Sequence, residues 1–455
     1  MRFWGVDRAV GYTLLTRVWT TGAGIVTLLM IGHFLSGEER GYYYTFNNIL
    51  GLQVLLELGL SFVLLQFASH EKAKLEWEDG LLVGDATAKS RLASLTRLAL
   101  TYYLVIAVVF FVLVLPIGLV FFQIHQPVGS HTVWRGPWMI IVFISACSIV
   151  TTPLFSMLQG CGKVKEMALM RLWQTATGSV LLWLALLGHW GLFAMPVVSV
   201  VGVAWGVVWL ALRYRRWVHD LLSTSGTASL NWRAEVWPLQ WKIALSWLSS
   251  YLIFQLFNPV LFYFYGPVAA GQMGMSMSVV FALAALGWAW METRATSFGN
   301  LIARRDFGTL DQIFFPCLWQ SFTIVVCGSV FFWLINYGLY LTHNPWGQRL
   351  IGPAPLGLLL AATCVNHIYF AEAVYLRAHK EEPYLVTSVV GGLLIGLSTY
   401  FLGKQMGAFG MAIGYFAVSL FYWLPAGTWI FIKKRQLWHS DTYHANDNDS
   451  NLQPQ

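Results

Sequence analysis

Five side chains in this sequence could do chemistry that their surroundings make costly. Arg17 is the one charge in the apolar run 11–35, and Glu57 the one charge in the run 42–69, within Val54-Leu55-Leu56-Glu57-Leu58-Gly59-Leu60. Lys242 opens the run 238–265, while His367 and Glu372 lie inside the run 354–377. A charge at the centre of a bilayer costs at least ~3 kcal/mol, so it normally faces a protein interior or a wet cavity. Arginine offers a bidentate fork suited to phosphate, a sequestered carboxyl can trade a proton or a cation, and imidazole titrates near neutral pH. Arg17, Glu57 and Lys242 are therefore the candidates for a cavity that binds a substrate, and Glu57, His367 and Glu372 the candidates for coupling to an ion. Plainer readings stand beside these: Arg17 snorkelling to headgroups, Glu57 paired with Arg17, Lys242 as an ordinary basic flank, and His367 as a hydrogen-bonded core residue. Asn258-Pro259, inside a span, is the hinge candidate.

The elements that must position these residues follow from composition. Of 455 residues, 57% are hydrophobic and only 11% charged, against roughly 25% charged in a soluble domain. The apolar residues come in runs of about 20 or more, the length that crosses a bilayer. Twelve such runs appear, at 11–35, 42–69, 97–123, 137–160, 166–188, 191–213, 238–265, 269–292, 312–341, 354–377, 383–403 and 407–432. The fold class is therefore all-α integral membrane. The net charge of +7 is spread among the loops, which argues against a nucleic-acid partner. Four of the five cysteines fall in apolar runs and none has a metal-site spacing, so no metal is expected, and no cofactor beyond H+ or Na+ as a coupling ion.

With the N-terminus assigned to the cytoplasm, twenty-three of the 28 Lys and Arg residues fall on the cytoplasmic side. Four fall outside, and Arg17 remains in the first span. The positive-inside rule then puts both termini in the cytoplasm. Within residues 70–96, Asp85 reads as a helix N-cap. Leu92, Leu95 and Leu98 follow at helical spacing, which predicts an amphipathic helix on the inner leaflet with Arg91 snorkelling. The organisation expected is an N-terminal lobe at 1–213, a linker at 214–237, a C-terminal lobe at 238–434 and a disordered cytoplasmic tail at 435–455.

The two lobes repeat. Gly191-Leu192-Phe193-Ala194-Met195 returns as Gly407-Ala408-Phe409-Gly410-Met411, and the same spacing pairs Gly136-Pro137 with Gly352-Pro353 and Glu166 with Glu382. A second spacing pairs Phe34 and Gly41 with Phe264 and Gly271; it sets Glu57 opposite Gly287. An even number of spans in each copy makes the two six-helix repeats parallel, the arrangement of two-lobe transporters. Short outer loops leave no room for an outer catalytic domain, so no enzyme activity is expected.

Three stretches carry a family resemblance. Gly41-Tyr42-Tyr43-Tyr44 through Glu57-Leu58-Gly59-Leu60 to Gln66-Phe67-Ala68-Ser69-His70-Glu71 resembles the second helix of bacterial polysaccharide-biosynthesis flippases. Gln159-Gly160-Cys161-Gly162-Lys163-Val164-Lys165-Glu166 and Tyr375-Leu376-Arg377-Ala378-His379-Lys380-Glu381-Glu382-Pro383 resemble their two inner turns. These are O-antigen-type translocases of lipid-linked oligosaccharides, in the multidrug/oligosaccharidyl-lipid/polysaccharide (MOP) exporter superfamily, whose members have the MATE-like two-lobe fold. The resemblance implies a bacterial inner-membrane carrier. Its substrate would be an undecaprenyl-pyrophosphate-linked sugar unit, moved by alternating access for O-antigen or other surface polysaccharide synthesis, with Arg17 at the diphosphate. It also implies membrane lipids and polysaccharide polymerase or assembly proteins as partners. The alternative is a proton- or sodium-coupled drug or small-molecule antiporter on the same fold.

Overall fold

A computed structural model describes residues 8–224, 232, 237–379 and 382–450 of the chain. It forms two compact units, one of Met1–Tyr251 with Gly266–Gly271, the other of Leu252–Tyr265 with Gln272–Gln455.

In the first unit, α1 (Arg8–Phe34) gives way to α2 (Gly37–Leu50) through a capping box. Ser36 Oγ accepts from the Glu39 amide at 3.2 Å, and Glu39 Oε2 accepts from the Ser36 amide at 2.8 Å. Two donors that a helix start leaves unpaired are thus satisfied. The second span is not one helix. It breaks into α2, α3 (Gln53–Glu57) and α4 (Leu60–Lys72), with a 46° bend between the last two. The break falls at Leu58 and Gly59, both left-handed at φ 50° and φ 69°. Then come α5 (Ala86–Ile124), α6 (Arg135–Gly160), α7 (Val164–Leu187) and α8 (Ala194–Arg213). Tyr42, Phe46, Phe122 and Trp138 are fully buried where α2, α5 and α6 meet, with ring centroids 4.9–6.0 Å apart. Lipid tails are as apolar as these rings, so close packing rather than release from water holds such a core together.

Residues 70–96 differ from the expectation. A hairpin of β1 (Leu75–Glu78) and β2 (Leu81–Gly84) turns at Asp79-Gly80, both at positive φ. Asp85 does cap a helix, accepting from the Thr87 and Ala88 amides, but that helix is the start of α5 itself. Leu92 and Leu95 are fully buried in protein rather than laid on a leaflet. Arg91 does not snorkel; its Nε lies 2.8 Å from Glu71 Oε1. The hairpin is held by Trp77, whose indole donates to the Cys161 carbonyl at 2.8 Å while Lys163 sits 4.5 Å over the ring. The short helix α9 (Arg215–Ser223) closes against it through Trp217, and Asp220 there binds Lys89 at 2.9 Å.

After α10 (Trp237–Phe254), two helices are broken by a glycine within their length. α11 (Phe257–Ala303) is interrupted at Gly266 (φ 81°), and α14 (Leu385–Val418) at Gly407 (φ 59°). Between them lie α12 (Phe307–Leu341) and α13 (Pro353–Ala378); a π-turn at Ser419–Trp423 joins α14 to α15 (Leu424–Ser450). Eight helices among the described residues are long and apolar enough to span, nine with the bent second span. Divided at Gly266 and Gly407, and with α7 included, the helices match the twelve expected spans one for one. The repeat is visible in the backbone: Gly191 and Gly407, paired by sequence, both take positive φ (54° and 59°). Pro137 and Pro353, also paired, stand in the first turns of α6 and α13. The hairpin is the main departure, since residues 73–85 separate α4 from α5 where only 304–306 separate α11 from α12.

Candidate functional site

In the first unit, Glu57 ends α3 and is buried to 7% exposure. It makes no hydrogen bond or ion pair among the described residues, so the pairing with Arg17 that the sequence allows is not made. The residues around it explain its position. Leu58 in left-handed geometry costs about 1–2 kcal/mol, and the break it makes leaves the amides that open α4 without partners inside the helix. Irregular backbone at membrane depth is tolerated only where protein buries it or water lines it. Tyr103 of α5, fully buried, lies within electrostatic reach of Glu57 and beside Ser61, yet among the described residues its hydroxyl forms no hydrogen bond of ordinary geometry. A carboxyl at a helix break, beside an unsatisfied phenol, is equipped to take a proton or a small cation.

Arg17 lies exposed on α1, where its carbonyl accepts from the hydroxyls of Thr20 (3.0 Å) and Thr21 (2.9 Å). Lys242 belongs to α10, but its side chain lies outside the described residues. Pro259 stands in the first turn of α11, just past a break at Gln255-Leu256 that separates α11 from α10. Proline fits a first turn because no helical acceptor awaits its missing N–H.

In the second unit, His367 of α13 is 1% exposed. Its Nε2 is 2.7 Å from Ser321 Oγ of α12, and that hydroxyl also stands 3.0 Å from the Leu318 carbonyl. Ser321 has one proton, and the Leu318 carbonyl can only accept, so the imidazole must be the donor to Ser321. Nδ1 is then a bare acceptor, and it is buried with no hydrogen-bond partner among the described residues. The ring presses on Gly287 of α11, where an added Cβ would stand 2.7 Å from Cε1 and 2.8 Å from Nδ1. Next to it Asn366 donates to the Tyr415 hydroxyl at 2.9 Å.

Glu372, five residues further along α13, is 4% exposed and held on both oxygens. Thr428 of α15 meets Oε1 at 2.8 Å and Tyr384 meets Oε2 at 3.0 Å. The Tyr384 hydroxyl is also 2.8 Å from the Gly427 carbonyl. A phenol holds its proton in the physiological pH range. The Tyr384 ring stacks on Tyr369 at 4.5 Å, and Tyr369 stacks in turn on Trp423 at 5.7 Å. Below this the charges pair off: Arg435 Nε binds Asp311 at 3.0 Å and Arg377 binds Glu382 at 3.0 Å.

The structure thus sets His367 against α11 and α12 and Glu372 against Tyr384 and α15, both in the second unit, and places Arg17 and Glu57 in the first. Sequence reasoning missed Tyr384, Thr428, Ser321 and Tyr103. Each is a hydroxyl in apolar text, where such residues commonly bond their own helix, so only the fold shows which of them meet a titratable group. Gly287 could have been found, because the repeat already set it opposite Glu57.

No protein-family profile matches the chain, and no curated protein matches its sequence. Solved structures do resemble it. The lipid II flippase MurJ in its inward closed conformation aligns with a TM-score of 0.65 at 10% identity, over 95% of this chain and 90% of that one. An inward-facing multidrug resistance MATE family transporter of the MOP superfamily aligns at 0.56 and 13%, over 90% and 99%. A MOP superfamily transporter from Pyrococcus furiosus aligns at 0.54 and 13%, over 95% of each chain. At these identities the likeness is one of fold: this chain has the two-lobe architecture of those transporters.

Proposed function

We propose that the chain is a carrier for an undecaprenyl-pyrophosphate-linked oligosaccharide unit, moved across the bacterial inner membrane by alternating access of the two six-helix lobes for surface polysaccharide synthesis. The observation that carries this reading is the fold likeness to a lipid II flippase along 95% of the chain, at a higher TM-score than the two other transporters above. The broken second span with a sequestered carboxylate supports it. Moving a phosphate-sized ion into a bilayer core unaided would cost on the order of 20 kcal/mol by Born solvation. A carrier must therefore supply cations and a wet path. Arg17 is the side chain suited to the diphosphate, with Lys242 as a second cation near the inner entrance.

In this reading Glu57, with His367 or Glu372, ties the cycle to protons or sodium, and Pro259 stands at a joint that moves. The chemistry is carriage alone, with both termini in the cytoplasm, in the company of membrane lipids and of polysaccharide polymerase or assembly proteins. A second reading, a drug antiporter on the same fold, draws on the MATE likeness; it favours an acidic site such as Glu57 over Arg17. Two measurements separate the readings: loss of surface polysaccharide in a strain lacking the chain, and drug susceptibility in the same strain. Normal polysaccharide with heightened susceptibility would overturn the lipid-carrier reading.

A further inference from the structure

The contacts of Glu372 do not balance for a carboxylate. The Tyr384 hydroxyl has one proton and faces two oxygens, Glu372 Oε2 at 3.0 Å and the Gly427 carbonyl at 2.8 Å. If Glu372 is ionised, both can only accept, and one buried contact is left as oxygen against oxygen with no proton between. With a proton on Glu372 every contact is satisfied. Glu372 donates to Tyr384, Tyr384 donates to Gly427, and Thr428 donates to the other carboxyl oxygen.

We propose that Glu372 is a proton-binding site that locks α13 to α15 through Tyr384, holding the joint between the π-turn and α15 closed while the proton is bound. The inference deepens the carrier reading, on which it rests for its part in transport, by naming the proton as the ion and this joint as what the ion controls. Gly427 follows the π-turn Ser419–Trp423 and Pro425, both features at which membrane helices bend. When the proton leaves Glu372 for water, the carboxylate claims the Tyr384 proton. The Gly427 carbonyl then loses its donor from the α13 side, and the joint is freed. Among the described residues no other charge substitutes. On α12, Asp311 is bound to Arg435 of α15; on α13, Arg377 is bound to Glu382 and His367 to Ser321. On α14, the Thr387 hydroxyl meets that of Tyr369 at 3.0 Å. A sodium ion would need the Tyr384 and Thr428 hydroxyls reversed, with lone pairs toward the ion, and no second carboxylate belongs to the set.

The test is hydrogen exchange of the 424–431 segment in the full chain in lipid nanodiscs, at mildly acidic and alkaline pH and corrected for intrinsic rates. The wild type is expected to be protected at acidic pH and to lose protection several-fold at alkaline pH. Glu372→Gln, whose amide donates to Tyr384 and whose carbonyl accepts from Thr428, stays protected at both. Tyr384→Phe, checked for folding by its melting temperature, is unprotected at both. A Glu372→Gln variant that follows the wild-type pH response overturns the proposal, and so does recovery of protection at alkaline pH by sodium chloride but not choline chloride. The readout needs no substrate: if the lock behaves as described and no lipid-linked glycan is moved, only the carrier reading fails.

Discussion

The imidazole of His367 occupies the space that the missing side chain of Gly287 leaves open, and Gly287 is the repeat counterpart of Glu57. In the first unit this helix position carries its own titratable group. In the second it carries none, and a neighbouring helix delivers one instead, with Nδ1 bare and an added Cβ at Gly287 only 2.8 Å away. The other repeat spacing completes the exchange, because it sets His367 opposite Thr151, a small residue whose hydroxyl turns back to the Ser148 carbonyl at 2.9 Å. The titratable group at this position thus comes from the helix itself in the first unit and from a neighbouring helix in the second.

Gly287→Ala is therefore expected to destabilise the chain by about 1–3 kcal/mol, the cost of overpacking a tight core. The new methyl would meet Val325 Cγ2 at 2.5 Å as well as the imidazole. Thermal unfolding in detergent checks this. The loss should shrink when Val325→Ala and His367→Ala are added, and an additive result would mean that the contact is not the cause.

Much of the fold was legible because apolar runs of spanning length and the side of the basic residues are strong signals in a membrane chain. The breaks were less so. Nothing in Leu58 announces a left-handed residue, whereas Gly266 and Gly407, which the sequence sets at span boundaries, do break the helical backbone there. The hairpin was missed because Leu75–Glu78 and Leu81–Gly84 are four-residue strands, too short for alternation to separate from a connector. For the site, the charged members stood out by cost. Arg17 and Glu57 share a unit without pairing, which spacing along the chain could not decide. The hydroxyls that bind His367 and Glu372 come from other helices and carry no local mark.

Trp77→Ala should cost about 2 kcal/mol, from lost packing, the hydrogen bond to Cys161 and the Lys163 contact over the ring. It should also raise hydrogen exchange across residues 75–84. An unchanged melting temperature would show that the hairpin is not held as described.

Cys161 should resist maleimide in the folded chain. It is fully buried, and burial pushes its thiol up to about 12 despite the nearby Lys72, so little thiolate exists near neutral pH. Labelling should appear on denaturation or in the Trp77→Ala variant. Rapid labelling of the native wild type would contradict this.

Asp306 caps α12 by accepting from the Thr309 amide at 3.0 Å, which holds its carboxyl below the usual range. The folded value is the lower one, so its contribution is present above the unfolded value of about 3.9 and is lost as pH falls through the folded one. Asp306→Ala should speed exchange in the first turn of α12 at neutral pH. The difference from wild type should narrow in acid, and a gap that widens in acid would contradict the capping role.

The central claim is that this chain carries a lipid-linked glycan, with Arg17 and Glu57 in its path. Proteoliposomes loaded with an undecaprenyl-pyrophosphate-linked oligosaccharide test it directly, by the fraction of glycan that becomes accessible to a membrane-impermeant glycosidase over time. The account predicts faster exposure than in protein-free vesicles, with Glu57→Gln and Arg17→Ala each slowing it at least tenfold, equivalent to about 1.4 kcal/mol. Exposure no faster than in protein-free vesicles, or full activity in Glu57→Gln at equal protein content, would contradict it.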